Sequence, residues 1–506
     1  MSSTDFDTIV IGAGVSGLSC AAHLAKAGKR VIVFEQSKKP GGYCCSYTRK
    51  KLIFDPGAHW ILDGPGFNSL LDSLNTEPIE FIQLPSVYRI LGPTRYVDVN
   101  FADRELFVKS MRKSFPHVKD AALTRLIDIA NTVKQEMDEM PTDSLELLSL
   151  WGKVNSGFTL LLKARNMMKY SKLNLQDFLK DLFPGDEYKD LRAALHIAPG
   201  EETTAIALLV FLAFGMAKSA WGPKGGAQKI SDALASAVKK NGGKIVYSKK
   251  VVKIDVDDKR INGVTLDDKT KYTAKTVVAA IDAKQLYNKL LKIDNFPKKF
   301  KQKIDETPFA SSWFSVSIVT DLNPADYDFD GTDVLFINTN DIVEAGIPNN
   351  PEKNAFVAKF NSLHDESFKL EGAKEEHHSI HLVSPATFDY KNYWKAGKKL
   401  NRGDKYIKFK KDYAKKLVKR MEERIPNLGK HIVNMDISTP LTYHRYTLNH
   451  HGSGLGWSDM ILWKQRIKFV KGLFHAGMWS FPGPMVEPSI ESGKNAAILV
   501  LKQLKD

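Results

Sequence analysis

The chain has 506 residues, of which 43% are hydrophobic and 26% charged, and its 73 basic and 58 acidic side chains give a formal net charge of +15. These figures exclude a mainly disordered chain, because 27 Phe, 16 Tyr and 8 Trp supply ample material for a hydrophobic core. At about 100–200 residues a domain, the length predicts two or three domains. The longest apolar run, Ala205 to Ala217, is shorter than the about 18 residues of a membrane-spanning helix, so we expect a buried helix there.

The excess of positive charge favours an anionic partner. A membrane surface, an acidic carrier protein and nucleic acid are the candidates, and solvated surface lysine is the alternative. Nucleic acid is the least favoured, because the Lys-rich helix expected over Lys405 to Arg424 brings no recognition motif with it.

The cysteines and the N-terminus indicate a cellular compartment. Cys20, Cys44 and Cys45 form no CxxC pattern, so the sequence predicts no metal site and fits a reducing environment. The N-terminus lacks a basic stretch followed by an apolar one, so no signal peptide is expected. We therefore expect a cytoplasmic protein, with peripheral attachment to the inner membrane surface as a further expectation.

A complete βαβ unit is predicted at the start of the chain. Thr8 to Ile11 has the β-branched, apolar composition of a buried strand, and Gly12-Ala13-Gly14-Val15-Ser16-Gly17 follows it directly. A helix pattern then runs to Gly28, and a second strand, Val31 to Phe34, ends at Glu35. This order of strand, glycine turn, helix, strand and acid is typical of a dinucleotide-binding unit.

Each part of the unit has a physical role. Gly12 permits the tight turn, Gly14 lets the backbone approach a pyrophosphate, and Gly17 lets the helix pack close to the strand. The helix end that begins at Val15 and Ser16 presents free N–H groups to the phosphates. Glu35 can accept hydrogen bonds from both ribose hydroxyls and would repel a 2′-phosphate.

The residues after Glu35 identify the dinucleotide. Gly41 and Gly42 follow, and Phe54-Asp55-Pro56-Gly57-Ala58-His59 comes soon after. With them the sequence resembles flavin-dependent oxidoreductases of the amine-oxidase and phytoene-desaturase superfamily. The resemblance implies FAD as the cofactor, with the glycine pair completing its site. Tyr43 stands where those enzymes often carry Arg or Lys.

Two later segments resemble the same superfamily. Trp221-Gly222-Pro223-Lys224-Gly225-Gly226 precedes a predicted helix, Ile230 to Val238, and the resemblance places Val251 beside the adenine. Near the C-terminus, Gly472-Leu473-Phe474-His475-Ala476-Gly477-Met478-Trp479 resembles the segment that closes the flavin site before a helix whose N-terminus faces the flavin. The cofactor contacts implied there are Gly477, Met478, Met485 and Val486.

The turn before this last helix departs from the family pattern. Pro484 and Met485 replace two glycines, and Glu487-Pro488 stands where the family has Pro-Gly. Because proline fixes φ, we expect a more rigid helix start.

The resemblance implies an α/β fold in which a Rossmann-like FAD-binding domain is interleaved with an α+β substrate domain, made of a mixed sheet and a helical lid. We expect the FAD-binding domain to comprise 1–100, 221–290 and 436–506, the lid 101–220, and the substrate-domain sheet with the Lys-rich helix 291–435.

Four residues are candidates for catalysis. Glu487 could shuttle protons beside the flavin, or it could be a first-turn acid that complements the helix dipole. His59 and His475 lie near the ring by analogy, and each could instead be a satisfied buried histidine. Arg445 could hold a substrate carboxylate or phosphate, or pair with an acid.

The resemblance to phytoene desaturases and carotenoid isomerases implies hydride transfer at flavin N5 to or from a polyene, isoprenoid or fatty-acyl chain. Desaturation, saturation and isomerisation share one site and stay open. The substrate could come from an anionic membrane or an acyl carrier protein. No second GxGxxG follows a strand, which favours a quinone or oxygen as electron acceptor over a nicotinamide.

Two alternatives belong to other functional classes. An amine oxidase would need an aromatic cage and usually a lysine-bound water beside the flavin. A non-catalytic flavin-binding protein would use FAD only to fold.

Overall fold

The computed structural model describes residues 4–49, 51–86, 88–92, 98–100, 103–139, 146–147, 163–196, 203–216, 220–291, 296–337, 349–369, 376–457 and 463–505. The strands, numbered in chain order, are β1 Phe6–Ile11, β2 Val31–Phe34, β3 Tyr47–Arg49, β4 Leu52–Phe54, β5 Phe81–Gln83, β6 Arg89–Leu91, β7 Asp98–Asn100, β8 Trp221–Pro223, β9 Lys244–Val246, β10 Val251–Asp257, β11 Arg260–Leu266, β12 Lys271–Ala279, β13 Ser312–Thr320, β14 Val334–Phe336, β15 Phe356–Lys359, β16 His378–Ala386, β17 Ile432–Ser438 and β18 Leu473–His475. The helices are α1 Val15–Lys26, α2 Gly64–Ser73, α3 Arg104–Ser114, α4 Asp120–Asp138, α5 Arg165–Tyr170, α6 Leu175–Leu182, α7 Lys189–Leu195, α8 Ala205–Met216, α9 Gln228–Lys240, α10 Ala283–Gln285, α11 Lys298–Glu306, α12 Asp404–Met421, α13 Pro440–Thr447 and α14 Val486–Lys505.

The first sheet carries the predicted βαβ unit. Its strand order is β10-β11-β12-β1-β2-β9, and β18 also pairs with β12. β1 lies parallel to both β2 and β12. Side chains alternate between the two faces, so Val10, Val33 and Val278 pack under α1, α9 and α14. The sheet thus forms the Rossmann-like half of the predicted α/β fold class, which is confirmed.

The second sheet separates two hydrophobic cores. Its order is β17-β13-β16-β15-β14-β6-β7. Phe314, Val316 and Ile318 of β13 point to the face covered by α12. Leu335 and Val357 point to the other face, where the helices α3 to α8 form a separate core. We call that helical layer the lid, and the sheet face beneath it the lid face.

The lid contains the predicted buried helix. In α8, the side chains of Ala205, Leu208, Leu209 and Leu212 are fully buried. Four other segments used in the prediction of a helical layer, Pro141, Phe158 to Leu162, Pro199 and Ala217, lie outside the described residues. Among the helices that the structure describes, none is long and apolar enough to cross a bilayer.

Helices α1 and α14 approach each other closely because glycine lies between them. A Cβ atom on Gly493 would lie 2.1 Å from the backbone oxygen of Ser16. The Ser19 hydroxyl donates to the Ile490 carbonyl at 2.8 Å across the same contact. The position of the α14 N-terminus therefore depends on α1.

Asp55 joins the segment after β4 to the N-terminus of α9. Its Oδ1 accepts a hydrogen bond from the Ser46 hydroxyl at 2.5 Å, and its Oδ2 accepts one from the Ala227 N–H at 3.2 Å. The carboxyl is buried, and burial raises the pKa of Asp55 to about 7 despite these hydrogen bonds.

Gly493→Ala is expected to lower the free energy of unfolding by about 1–3 kcal/mol, because the added methyl group must push α14 away from α1. Urea denaturation would measure the loss. Gly397→Ala is the matched control, since Gly397 is exposed, has φ −80°, and its Cβ would meet Asn401 at an ordinary 3.5 Å. Equal stabilities of the two variants would contradict this account of the contact.

The Asp55 carboxyl is expected to make stability depend on pH. Its pKa is higher in the folded chain than the ordinary value of about 4, so its contribution is present below about pH 4 and is lost as the pH rises through about 7. Relative to Asp55→Asn, the wild-type free energy of unfolding should fall from pH 4.5 to 7 and level off above. A difference that is constant over this range in urea titrations would refute the prediction.

Candidate functional site

The glycine turn after β1 leaves an open space at its centre. Gly12 has φ +98°, and a Cβ there would lie 2.7 Å from the Ala280 carbonyl oxygen. By contrast, a Cβ on Gly14 would meet no described atom within 4 Å. Gly41 lies beside the turn and donates its N–H to the Ala13 carbonyl at 2.9 Å. A Cβ on Gly42 would lie 3.5 Å from the Gly14 Cα, so both predicted glycine segments border the same space.

Glu35 lies at the end of β2, beside this turn. Its Oε2 accepts the Ala13 N–H at 2.7 Å and its Oε1 accepts the Ser37 N–H at 2.8 Å. The Lys249 N–H donates to the Glu35 carbonyl at 2.9 Å, which brings the start of β10, and with it the buried Val251, alongside. The carboxylate is therefore held where a ribose would follow a pyrophosphate bound at Gly14.

The C-terminal segment reaches the same turn from the other side. Gly477 has φ +102°, and a Cβ there would lie 2.8 Å from Ser16 Oγ. Its N–H donates to Ser492 Oγ at 3.0 Å. Met478 is partly buried beside it. Gly477 and the second turn of α14 therefore pack against the start of α1, whose first N–H groups would face a bound pyrophosphate.

The departures at the start of α14 have a structural cost. Met485 adopts φ +81° directly before Val486 and is 50% exposed. This left-handed conformation is strained for a residue with a side chain, whereas the family glycine would adopt it freely. Val486 itself is buried against the α1 core. The helix start thus keeps the geometry that glycine usually provides, although glycine is absent.

Tyr43 replaces the basic residue of the family and packs into an aromatic cluster. Its hydroxyl donates to the carbonyl oxygens of Gly452 and Ser453, at 3.0 and 2.8 Å. Its ring lies 5.8 Å from the Trp313 ring and 6.2 Å from the Tyr443 ring, centroid to centroid. The side chain therefore joins the glycine-pair segment to the second sheet and supplies no positive charge to a phosphate.

Of the four predicted catalytic residues, two form hydrogen bonds with backbone groups and a third lies on the surface. Glu487 accepts the Leu62 N–H, and burial raises the pKa of its carboxyl. His475 donates from Nε2 to the Ile281 carbonyl at 2.9 Å, and burial lowers the pKa of its imidazole to about 4. Arg445 is exposed on α13, where its guanidinium lies 5.7 Å from the Tyr446 ring. The structure does not bring these three together.

The fourth, His59, belongs to a buried triad with Asp333 and Lys359. His59 Nε2 lies 2.6 Å from Asp333 Oδ2, and His59 Nδ1 lies 2.8 Å from Lys359 Nζ. Lys359 Nζ also donates to the Gly57 carbonyl at 3.1 Å, and Trp60 Nε1 donates to Asp333 at 3.4 Å. Asp333 is 2% exposed and Lys359 8% exposed, so the ionisable groups of the triad are buried away from water.

The electrostatics of the triad follow from burial and pairing. Desolvation lowers the pKa of His59 and of Lys359, because both lose water around their charged forms. Burial acts to raise the pKa of Asp333, but the charge and hydrogen bond of His59, together with the charge of Lys359, outweigh it and lower that pKa. Asp333 is therefore ionised, and the 2.8 Å contact between His59 Nδ1 and Lys359 Nζ requires one of these two nitrogens to donate a hydrogen bond to the other.

The triad adjoins a polar row across the lid face. Lys359 on β15 is in register with His381 on β16, which in turn is in register with Ser317 on β13. His381 Nδ1 lies 2.8 Å from Ser317 Oγ, which also contacts the Tyr47 hydroxyl at 2.9 Å. Burial holds the pKa of His381 well below its usual range, so this imidazole is neutral.

The sequence prediction included His59 but missed Asp333 and Lys359. The signal was present in the strands, because Lys359 is a lone charge inside the apolar run from Ala355 to Phe360, and Asp333 directly precedes the apolar run from Val334 to Ile337. A charge in a buried strand needs a partner. Its partner could not be found without the register of β14 and β15.

A family model and two kinds of named protein match the sequence of this chain. The model of the family described as flavin containing amine oxidoreductase matches residues 15–316, more than half of the chain. An all-trans-retinol 13,14-reductase of Danio rerio is 24% identical over 89% of this chain and 77% of its own length. Prolycopene isomerase 1, chloroplastic, of an Oncidium hybrid cultivar is 23% identical over 89% of this chain and 75% of its own length.

Solved structures have the same fold at lower identity. An oxidoreductase from Methanosarcina mazei aligns with a TM-score of 0.61 at 16% identity, over 99% of this chain and all of its own. A putrescine oxidase bound to putrescine aligns with a TM-score of 0.62 at 13% identity, over 98% of this chain and 99% of its own. The open glycine turn, the acid after β2 and the C-terminal segment packed against Ser16 fit FAD. The chain is an FAD-dependent oxidoreductase, and it belongs to the flavin-containing amine oxidoreductase family.

Proposed function

We propose that this enzyme desaturates, saturates or isomerises carbon–carbon bonds of a long hydrophobic polyene. The observation that carries the proposal is the extent of the similarity to the retinol reductase and the prolycopene isomerase, which reaches 89% of the chain. It therefore extends beyond the cofactor segments to the lid and the second sheet, where a substrate would bind.

The side chains between the cofactor segment and the lid suit such a substrate. Trp60 follows the cofactor segment, Tyr88 precedes β6 of the second sheet, and Phe211 lies on lid helix α8. All three are only partly buried, although they lie where these three parts of the fold meet. The Tyr88 and Phe211 rings are 4.9 Å apart. An apolar chain can bind along such a surface by burying its own apolar area.

The residues of the chain have separable tasks in this reaction. Gly14, Glu35 and the α1 N-terminus would hold FAD, which supplies hydride transfer when bound. The segment from Gly57 to Trp60 would place the substrate bond, because it is tied to the second sheet through Lys359 and Asp333. The lid would exclude water.

The spacing of the Tyr43 and Tyr443 rings argues against an amine oxidase whose aromatic cage is formed by this pair. A planar substrate between two rings needs centroids about 7–8 Å apart, twice the optimal carbon–carbon contact distance. Tyr43 and Tyr443 are 6.2 Å apart and in direct contact. The predicted quinone or oxygen acceptor, the acyl carrier protein and the anionic membrane stay predictions of this proposal.

Gly14→Ala tests the cofactor part. The methyl group would project into the open space, so it should leave the stability of the FAD-free chain unchanged and weaken FAD binding at least about tenfold, because the pyrophosphate can no longer approach the backbone. Calorimetric titration of FAD-free protein would measure the affinity. Wild-type affinity in this variant would show that the phosphates bind elsewhere.

Anaerobic incubation tests the substrate part. Holoprotein, with FAD either oxidised or photoreduced, is mixed with all-trans-retinol, poly-cis-lycopene, oleic acid or putrescine, and products are analysed by chromatography and mass spectrometry. We expect a polyene to change mass or geometry and putrescine to leave FAD oxidised. Reduction of FAD by putrescine would favour an amine oxidase, and inertness towards every compound a non-catalytic role.

A lid variant provides the matched control for the same assay. Phe211→Ala should raise the KM for the polyene several-fold, since it removes apolar contact area. Phe469→Ala removes an equal side chain from an exposed site away from the lid and should leave the KM unchanged. Equal KM values for both variants would mean that the substrate does not touch α8.

A further inference from the structure

We propose that Lys359 is the proton donor and acceptor of this site, with His59 and Asp333 as the residues that position it and renew its proton. The inference rests on the proposed function, since it assigns the proton that must accompany hydride transfer to or from a carbon–carbon bond. Lys359 and Asp333 lie outside the cofactor motifs, and His59 is the last residue of one of them.

The geometry allows the proton to move along one line of hydrogen bonds. When the proton is on Lys359, its ammonium donates to His59 Nδ1, and His59 Nε2–H donates to the Asp333 carboxylate. When the proton moves along the 2.8 Å contact to Nδ1, the imidazolium lies against Asp333 and Lys359 becomes a neutral amine. The total charge of the triad is the same in both states, so the transfer needs no new counterion.

The location connects the triad to the reacting bond. Lys359 donates to the carbonyl of Gly57, inside the segment that the family resemblance places at the flavin. The residues from Gly57 to Trp60 stay partly exposed although they lie in the interior of the fold, so they border open space. Lys359 points to the lid face with Val357, which packs on the lid core. It therefore lies between the cofactor segment and the surface proposed for the substrate.

Burying these charged side chains for a purely structural purpose would destabilise the fold. Removing an ion from water costs several kcal/mol even when it is paired, and apolar residues of similar size often stabilise a core as well or better. The neighbours Leu335 and Val357 on the same face are apolar, so an apolar side chain at position 359 would be compatible with the packing there.

The chemical step balances as follows in the direction of saturation. The Nζ–H bond of Lys359 breaks and leaves its electron pair on nitrogen. The proton bonds to one carbon of the double bond through the π electron pair, and the other carbon receives a hydride, with its two electrons, from the reduced flavin cofactor. Lys359 is left neutral with its Nζ 2.8 Å from His59 Nδ1, and a proton from solvent water restores the ammonium group before the next turnover. Desaturation reverses these events, with the neutral amine taking the proton.

Other titratable groups surround the triad and must be separated from it. His381 faces it from β16, His364 from the turn after β15, Tyr88 from the segment before β6, and Asp55 and Asp365 from the cofactor side and the same turn. Burial keeps both histidines and Tyr88 uncharged at neutral pH. Asp55 is the group whose titration could be mistaken for that of the triad.

Two substitutions test the assignment. Lys359→Arg keeps a positive charge opposite Asp333, so the fold is retained, but a guanidinium does not release its proton near neutral pH. Lys359→Met removes the charge. Lys410→Met is the matched control, because Lys410 is partly buried, donates like Lys359 to a backbone carbonyl, that of Ile437 at 3.1 Å, and lies on α12 on the opposite side of the second sheet.

The first readout needs no turnover. The absorption spectrum of bound, oxidised FAD is recorded against pH without substrate. We expect a one-proton change in the wild type and in Lys410→Met, its loss in both Lys359 variants, and its persistence in Asp55→Asn. A titration that persists in the Lys359 variants, or that disappears only in Asp55→Asn, would overturn the proposal.

The second readout is the reaction itself. In both Lys359 variants kcat should fall about 100-fold or more while KM changes little, and the pH dependence of kcat should flatten. An active wild type with unchanged kcat in Lys359→Arg would refute this inference and leave the proposed function standing. A wild type inert towards every polyene would refute the proposed function, while the spectral titration would still decide whether Lys359 exchanges a proton beside the flavin.

Discussion

The contact between α1 and α14 at Ser16 is the constraint on which the site depends. Glycines at 477 and 493 let both the turn before α14 and the helix itself approach Ser16 more closely than any side chain would allow. The start of α1 therefore packs against the Gly477 turn and the second turn of α14, while α14 itself begins at Val486, next to the contact of Glu487 with Leu62. The glycine turn before α1, which would hold the FAD pyrophosphate, is thereby fixed against the C-terminal segment.

Under the proposed function, the second sheet supplies the substrate side of this cofactor site. One of its faces is sealed by α12, while the other lies under the lid and carries Lys359 and His381. Lys359, His381 and Ser317 thus lie in register in one row of that face. A long apolar chain can bind beside that row, and the proton step can take place without bulk water.

The cofactor half was predictable because its signals are local. The spacing from Gly12 to Glu35 fixes a strand, a turn and a helix within one short segment, and the structure has them as β1, α1 and β2. The strand expected over Trp313 to Val319 is present as β13. The contacts of Glu487 and of the triad could not be predicted from the sequence, because the Leu62 N–H and the partners of His59 come from distant parts of the chain. The register of β14 and β15 places residue 333 beside residue 359, and the segment after β4 brings His59 to both.

The most direct test of the account is an experimental structure of the holoprotein with a bound polyene. The account predicts FAD along Gly14 and Glu35, the polyene between the second sheet and α8, and Lys359 Nζ within reach of the double bond nearest the flavin. A polyene bound outside the lid, or a flavin ring remote from Gly57 and Lys359, would contradict it.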